Sequence, residues 1–312
     1  YGVVGQIVPW NYPLWAAAWK LGPALAAGNA CVLKPASDTP LSTIRAAQLS
    51  EGIFPDGVLN VVPGSGSDVG QAVAAHEDIR KVSFVVFPDA DLEKVVSAVA
   101  DGIFYSTGEI CDAFSRAIVH DSVADEFTER FVEAAESHVL GDPLDEVTTM
   151  GPLTSGEQLE TVTGYIETGK GEAELLCGGG TPGNPALSAG HYVEPTVFRG
   201  VTNDTTIGSE EIFGPVQTIQ TFEDYDEAIE LANDTQYGLA SGIGTESTSL
   251  VHRTADDLDA GLVYVNEYGP IMPDAPYGGF KQSGFGKDLG LEALEHYQRT
   301  KSVYVNLDEP EL

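Results

Sequence analysis

Cys111 is the residue of this sequence that is best placed to act as a nucleophile. It ends the run Gly108–Cys111, directly after an amphipathic segment, where a loop can expose its thiol. A nucleophilic cysteine needs a lowered pKa and access to substrate. The alternative is a buried cysteine that packs as a small apolar side chain, as most free cysteines do. That alternative suits Cys31, inside a Val-rich strand, and Cys177, before a glycine run.

Further polar residues and glycines follow the first three predicted strands. Asn11 follows the first strand, Lys34 the second, and Gly64, Gly66 and Gly70 the third. Ligands of open α/β sheets bind at the carboxyl ends of the strands. There an amide can stabilise an oxyanion, a lysine can bind a ribose or phosphate, and glycines let a dinucleotide approach the backbone. The alternative for Asn11 is a capping residue in a Pro-bounded turn. The alternative for the three glycines is a tight turn with no ligand.

These candidates need a scaffold, and strand and helix signals that alternate in short units predict a parallel α/β sheet. The predicted strands are Gly2–Val8, Cys31–Leu33, Val58–Val62, Lys81–Phe87, Ile118–Val119 and Ser302–Asn306. The predicted helices are Pro13–Ala27, Thr39–Gly52 with its caps, Gly66–Ala75, Asp91–Tyr105, Ser122–His138, Glu157–Gly169, Tyr225–Asn233 and Leu289–Tyr297. Helix Asp91–Tyr105 carries an apolar face at helical spacing: Leu92, Val95, Val96, Val99 and Ile103.

Composition limits the function classes. The 312 residues include 48 acidic and 15 basic side chains, a formal charge of −33, while 42% of residues are hydrophobic. That apolar share excludes an acidic disordered chain, and the charge argues against nucleic acid or an anionic membrane as a partner. A carboxylate-rich surface over an ordinary core favours a halophilic source, with an ordinary acidic cytosolic protein as the alternative.

Cysteine usage and hydropathy predict a cytoplasmic protein. The three cysteines are odd in number and widely spaced, which suits free thiols in a reducing compartment and gives no metal-ligand spacing. No apolar run approaches the length of a membrane span, and we see no basic, hydrophobic leader.

Taken together, five motifs resemble those of the aldehyde dehydrogenase superfamily. They are Val3–Pro13, Val32–Ala36, Gly108–Cys111, Glu210–Val216 and Pro276–Gly284, and they occur in the family's order. The resemblance covers essentially the whole chain, and the combination is highly specific. The resemblance favours the interpretation of Cys111 as a nucleophile over that of a buried thiol.

The resemblance implies NAD(P)-dependent oxidation of an aldehyde to a carboxylate. Cys111 would attack the carbonyl to form a thiohemiacetal, whose oxyanion the Asn11 amide and the Cys111 backbone N–H would stabilise. Loss of hydride to NAD or NADP would leave a thioester for water to hydrolyse. The substrate would be a small-molecule aldehyde, and no Arg that could bind a substrate carboxylate stands out in the matched positions.

The resemblance also implies binding residues. Those for the cofactor are Val8, Trp10, Lys34, Ser37, Gly66, Gly70, Glu211 and Phe213. Those for the substrate tunnel are Tyr12, Ile110, Ile271 and Tyr277. Ser37 stands where NAD-preferring members carry a Glu that repels a 2′-phosphate, so both NAD and NADP stay open.

The family fold implies three domains. Residues 1–86 would form an incomplete Rossmann-type NAD(P)-binding domain, 87–288 an α/β catalytic domain, and 289–312 a C-terminal helix and oligomerisation strand. The strand Ser302–Asn306 would pair with a neighbouring subunit, so we expect a homo-oligomer.

Departures from the family pattern predict impaired activity. The family has a large region before the equivalent of Tyr1, and a few dozen residues between the equivalents of Phe84 and Val85. The latter include the Glu that serves as general base, and Glu109 is a weak substitute because a base must reach the attacking water. Asp112 beside the nucleophile would raise the thiol pKa.

Three alternatives therefore stay open. The chain could be a non-catalytic scaffold that pairs with intact relatives, or a variant that transfers its acyl group to coenzyme A. It could also come from a gene model or assembly that has lost real sequence.

Overall fold

The computed structural model describes residues 1–66 and 82–306, and these form two compact units. The small unit comprises residues 1–66, 272–276 and 286–306, and the large unit comprises 82–271 and 277–285. The domain boundaries given above stay predictions.

The small unit is built on three parallel strands in the order β1-β2-β3. Its strands are β1 (Val3–Ile7), β2 (Ala30–Lys34) and β3 (Leu59–Val61). Its helices are α1 (Pro13–Ala26), α2 (Leu41–Leu49) and the single turn Glu292–Glu295. Its core is a small cluster, in which α1 packs Ala17 against Val8 and Leu33.

The large unit is built on seven strands in the order β10-β9-β4-β5-β8-β7-β6, and all neighbours are parallel except β6 and β7. The strands are β4 (Ser83–Val86), β5 (Arg116–His120), β6 (Glu174–Cys177), β7 (Thr196–Arg199), β8 (Val216–Phe222), β9 (Ala240–Gly244) and β10 (Leu262–Val265). The helices are α3 (Leu92–Phe104), α4 (Asp121–Glu136), α5 (Gly156–Glu172), α6 (Thr206–Ser209), α7 (Tyr225–Asn233) and α8 (Thr248–Asp257).

Strand β4 lies near the centre of the large sheet, between β9 and β5. All four of its residues are buried, as expected of a parallel strand covered on both faces. Phe84 and Val85, where the sequence predicts missing family residues, are both 0% exposed. The chain therefore passes through this position as one continuous strand.

Helix α3 leads from β4 towards the candidate nucleophile. Its N-cap is Asp91, whose carboxylate accepts the Lys94 N–H at 3.4 Å. The predicted apolar face is confirmed: Val95, Val96, Val99 and Ile103 are buried and Leu92 is half-buried.

Near the C-terminus, one predicted element is wrong and a second is not tested by a single chain. The helix predicted over Leu289–Tyr297 is reduced to Glu292–Glu295, because Leu289 and Gly290 both have φ of 61° and cannot continue an α-helix. Residues Ser302–Asn306 are exposed and pair with no strand of the described sheets. Because a strand needs a hydrogen-bonding neighbour, the strand expected to pair with a neighbouring subunit stays a prediction. The helix predicted over Gly66–Ala75 lies almost wholly outside the described residues.

No helix within residues 1–66 and 82–306 has the length and hydropathy that a membrane span requires.

Candidate active site

Cys111 lies in a turn between α3 and β5 of the large unit. The Ala113 N–H donates to the Ile110 carbonyl at 3.3 Å, so Cys111 and Asp112 are the two central residues of this turn. The preceding 3₁₀ turn, Tyr105–Gly108, is strained, with φ of 48° at Ser106 and 59° at Thr107. Such strain persists only where surrounding contacts impose it, and it concentrates at functional sites.

Gly108, the last residue of this 3₁₀ turn, packs closely against another loop of the large unit. Its φ is 73°, and a Cβ added there would lie 2.3 Å from the Gly214 carbonyl oxygen. The loop before Cys111 is therefore in van der Waals contact with the segment that contains Glu211 and Phe213. Phe213 has φ of 55°, and its carbonyl accepts a hydrogen bond from Gln158 Nε2 at 2.7 Å. The large unit thus brings two predicted site segments together.

The Cys111 thiol is only partly buried, and its Sγ lies 3.0 Å from the hydroxyl oxygen of Tyr277. The other two cysteines differ from it. Cys31 is 0% exposed on β2, where burial raises its thiol pKa, and burial, then Glu136, raises the pKa of Cys177 to about 11. Since the thiolate is the reactive form, neither of these two suits a nucleophile.

Two of the substrate-tunnel candidates of the large unit, Ile110 and Tyr277, adjoin the same turn. Ile110 is 6% exposed and immediately precedes Cys111, and Tyr277 is also 6% exposed. Ile271 is half-buried.

Glu109 is a buried carboxyl group two residues before Cys111. It is 8% exposed, and its Oε1 accepts the Thr154 N–H at 3.0 Å. Burial raises its pKa to about 7, while the hydrogen bond from Thr154 opposes part of that rise.

Asp112 is the residue whose environment sequence reasoning missed. It is 2% exposed, and its carboxylate accepts hydrogen bonds from Tyr264 at 2.9 Å and Tyr268 at 3.3 Å. These tyrosines follow Asp112 by more than 150 residues, so no local pattern in the sequence connects them to it.

In the small unit, the cofactor candidates lie at the carboxyl ends of β1 and β2. The Val8 N–H donates to the Lys34 carbonyl at 3.1 Å, which places these two residues side by side. The Lys34 side chain is buried, and its ammonium donates to the Pro35 carbonyl at 3.0 Å. The Ser37 hydroxyl is exposed and donates to the Gly64 carbonyl at 3.1 Å.

The glycines after β3 are only partly described. Gly66 is exposed at the end of the first described range, and Gly70 lies outside the described residues.

The turn between β1 and α1 carries Trp10, Asn11 and Tyr12, all half-buried. The Trp10 carbonyl accepts the Thr39 hydroxyl at 2.9 Å, so Thr39 is not the N-cap that the sequence predicts for α2. The N-cap of α1 is Tyr12, without a side-chain cap hydrogen bond. Asn11 is therefore not the N-cap of this helix. The sequence had left a capping role for Asn11 open as the alternative to a functional one.

Comparison with known proteins places these features in a family. The sequence profile described as "Aldehyde dehydrogenase family" matches residues 1–85 and 84–303, two stretches that meet within β4. Betaine aldehyde dehydrogenase of Brucella anthropi is 42% identical over 339 residues, covering 98% of this chain and 69% of that protein. An aldehyde dehydrogenase of Emericella nidulans is 42% identical over 342 residues, covering 99% and 68%.

Solved structures agree. The NAD+ complex of an aldehyde dehydrogenase from Bacillus cereus superimposes with a TM-score of 0.93 at 41% identity, covering 98% of this chain and 68% of that one. The alignment with the Brucella relative spans 339 positions, 27 more than the 312 residues of this chain (339 − 312), so the relative has internal residues that this chain lacks. The family profile matches nearly all residues, and the α/β fold is shared with solved members of the family. The chain therefore belongs to the aldehyde dehydrogenase family.

Proposed function

We propose that this chain carries out NAD(P)-dependent oxidation of a small-molecule aldehyde, with Cys111 as the nucleophile. The observation that carries the proposal is the setting of Cys111. Its partly buried thiol contacts Tyr277 and lies in the turn that follows the strained residues Ser106 and Thr107, where Gly108 packs against Gly214. Accessibility and a fixed geometry are what a covalent nucleophile requires.

The chemistry begins with attack of the Cys111 thiolate on the aldehyde carbon, which forms a thiohemiacetal. The Cys111 backbone N–H donates to the oxyanion, and such a donor stabilises charge that develops in the transition state. A nicotinamide cofactor supplies the hydride acceptor. Water then hydrolyses the Cys111 thioester and frees the carboxylate product.

Residues of the small unit suit the cofactor. Lys34 has three ammonium N–H donors, of which Pro35 accepts one, and the others can bind ribose hydroxyls. Val8, Trp10, Ser37 and Gly66 complete this set in the small unit. In the large unit, Glu211 and Phe213 are separate candidates for contact with the nicotinamide end. NAD+ is bound in the Bacillus cereus relative. The proposal includes both NAD and NADP as cofactors, because Ser37 has no carboxylate that would repel the 2′-phosphate of NADP.

We further propose that turnover is limited by release of the thioester. The residues that the family carries between the equivalents of Phe84 and Val85 include its general base. Glu109 does not stand at the family position of that base, and its Oε1 accepts the Thr154 N–H at 3.0 Å. Formation of the thioester should therefore outpace its hydrolysis. Transfer to coenzyme A instead of water remains an alternative.

The second candidate is a scaffold that pairs with a neighbouring subunit. Val303, Tyr304 and Val305 are 69%, 95% and 71% exposed. An exposed, β-branched and aromatic segment suits strand addition to another sheet. This observation supports a homo-oligomer in either case, so it does not replace the catalytic proposal.

We also propose that the reaction takes place in a reducing cytoplasm of high salt concentration. Three free cysteines suit a reducing cytoplasm, and the charge of −33 suits a halophilic one. Assays should therefore include a high-salt series.

The test is reaction of the purified chain with a generic aldehyde and NAD or NADP, with formation of reduced cofactor as the readout. We expect reduced cofactor from the wild type and from Cys177→Ser, and none from Cys111→Ser. Equal yields from both single variants would refute the role of Cys111. Full steady-state turnover by the wild type would instead refute the limit on thioester release.

A further inference from the structure

We propose that the carboxylate of Asp112, held by the hydroxyl groups of Tyr264 and Tyr268, positions Cys111 for attack on an acyl carbon. Asp112 is a positioning residue and does not itself touch the substrate. The inference rests on the proposed role of Cys111 as nucleophile.

Asp112 is a buried charged group, and burying a charge is costly. Asp112 is 2% exposed, and a buried carboxylate is tolerated only where donors satisfy its oxygens. Tyr264 donates to one carboxylate oxygen at 2.9 Å, and Tyr268 donates to the other at 3.3 Å. Each oxygen thus has a hydroxyl donor, which fixes the orientation of the side chain.

The two donors are themselves held firmly. Tyr264 belongs to β10, which pairs with β9 in the large sheet. The Phe114 ring lies 5.8 Å from that of Tyr264 and 5.1 Å from that of Tyr268, both edge-on. Such pairs add to the stability given by burial. The Asp112 carboxylate is therefore hydrogen-bonded to two tyrosines whose rings pack against Phe114.

The hydroxyl group of Tyr264 also stays protonated. Burial, and then the neighbouring Asp112 carboxylate, raise its pKa far above the usual tyrosine value. It therefore remains a donor throughout the pH range in which an enzyme works.

The turn transmits this anchorage to the nucleophile. Cys111 and Asp112 are the central residues of the turn closed by the Ala113 N–H and the Ile110 carbonyl. When the side chain of one central residue is fixed, the backbone of the other, including its N–H, is fixed as well. Attack on a carbonyl depends steeply on such placement, and a shift of about 1 Å can cost about 100-fold in rate.

This account competes with a simple electrostatic one. A carboxylate next to a thiol would raise the thiol pKa and weaken the nucleophile, as the sequence suggests. Positioning predicts loss of acylation when the anchorage is removed, whereas the electrostatic effect predicts a gain when the charge is removed.

The test compares two reactions of Cys111 in the full chain. In the first, the thiolate attacks p-nitrophenyl acetate: a C–S bond forms, the C–O bond to the phenol breaks, and p-nitrophenolate leaves. In the second, iodoacetamide alkylates the thiolate at a pH where ionisation is complete: a C–S bond forms, the C–I bond breaks, and iodide leaves. The first needs a positioned thiolate and oxyanion donors, and the second needs only an accessible thiolate.

Two variants remove the anchorage: Asp112→Leu, and Tyr264→Phe combined with Tyr268→Phe, which keeps every ring. We expect acylation to fall about 10- to 100-fold in both while alkylation is unchanged. Should Asp112→Leu not fold, the double tyrosine variant decides. Wild-type acylation in that variant, or an equal fall in both reactions, would overturn the proposal.

Asp112→Asn is the control for charge. An amide can accept from one phenol and donate to the oxygen of the other, so the anchorage remains and the charge is lost. We expect acylation close to that of the wild type. Faster acylation with a lower pH midpoint would favour the electrostatic account and overturn ours. If wild-type Cys111 gives no burst of p-nitrophenolate, the proposed function itself fails, which is distinct from a burst that Asp112 variants leave unaltered.

Discussion

The two units support their candidate site residues to very different degrees. In the small unit, the cofactor candidates stand on three strands over a core cluster of Val8, Ala17 and Leu33. Large apolar side chains there are exposed: Val3 at 66%, Leu41 at 78%, Leu49 at 63% and Ile53 at 70%.

In the large unit, the nucleophile loop leads into β5 of a seven-stranded sheet. Even Arg116 is 0% exposed there, and its guanidinium donates to Ser83, Asn203 and the Ala232 carbonyl at 2.7–3.0 Å. A buried charge with each nitrogen so bonded requires a well-formed interior. The comparison teaches that the nucleophile loop leads into a large buried core, while the cofactor candidates of the small unit stand on a much smaller one.

The largest expected effect is on unfolding. Phe84 and Leu33 are both 0% exposed, one in each unit. We expect Phe84→Ala to lower the free energy of unfolding by about 3–5 kcal/mol, and Leu33→Ala by about 2–3 kcal/mol, since the smaller cluster can relax into the space.

The sequence provides separate probes for these two effects. All three tryptophans, Trp10, Trp15 and Trp19, lie in the small unit. Tryptophan fluorescence therefore reports the small unit, and far-UV circular dichroism reports mainly the large one. In denaturant, each substitution should move the transition of its own unit. If both probes move together for both variants, the units unfold as one block and the comparison breaks.

The next effect concerns the nucleophile loop. Gly108→Ala places a Cβ 2.3 Å from the Gly214 carbonyl oxygen, so the loop must shift. We expect acylation of Cys111 by p-nitrophenyl acetate to fall about 100-fold. Gly200→Ala is a matched control, because Gly200 has the same φ of 73° and nothing within 4 Å. Similar losses in both variants would mean that φ strain, and not the close approach, is responsible.

Glu109 gives a pH effect within the large unit. Its folded pKa of about 7 lies above the ordinary value of 4.5, so the folded state binds the proton more tightly than the unfolded state. The stability from Glu109 is present below about pH 4.5 and is lost as pH rises through about 7, to the extent of about 1–3 kcal/mol. Glu109→Gln should remove this slope in pH-dependent denaturant unfolding. An unchanged slope would show that Glu109 is not the source.

The smallest expected effect separates the units by function. Lys34→Met should raise the KM for NAD or NADP about tenfold, because it removes charge-assisted hydrogen bonds to the cofactor. The same variant should leave acylation of Cys111 by p-nitrophenyl acetate unchanged, since that reaction uses no cofactor. Equal losses in the two assays would mean that Lys34 supports the fold rather than the cofactor.

Much of the fold could be predicted where local signals dominate. Helix α7, Tyr225–Asn233, has the predicted bounds, because Asp224 caps it and its apolar spacing is regular. The short strands β6–β10 were not predicted. A run such as Ala240–Gly244 is too small and too rich in glycine to indicate a strand, and only its neighbours in the sheet make it one.

The candidate site divides in the same way. Motif resemblance identified Cys111 and the segment with Glu211 and Phe213, and the contact between Gly108 and Gly214 brings these two segments together. The effect of Asp112 could not be predicted, because its partners Tyr264 and Tyr268 come from a distant part of the chain. Charge beside a thiol is visible in a sequence, whereas the hydrogen bonds that restrain that charge are not.

The most direct test of the central claim is the time course of reduced cofactor with excess aldehyde and NAD or NADP, paired with the mass of the Cys111 peptide. The account predicts a burst that approaches about one equivalent per chain, a slow second phase, and an acyl adduct on Cys111 during that phase. A burst without an adduct on Cys111, or no burst at any salt concentration, would contradict it.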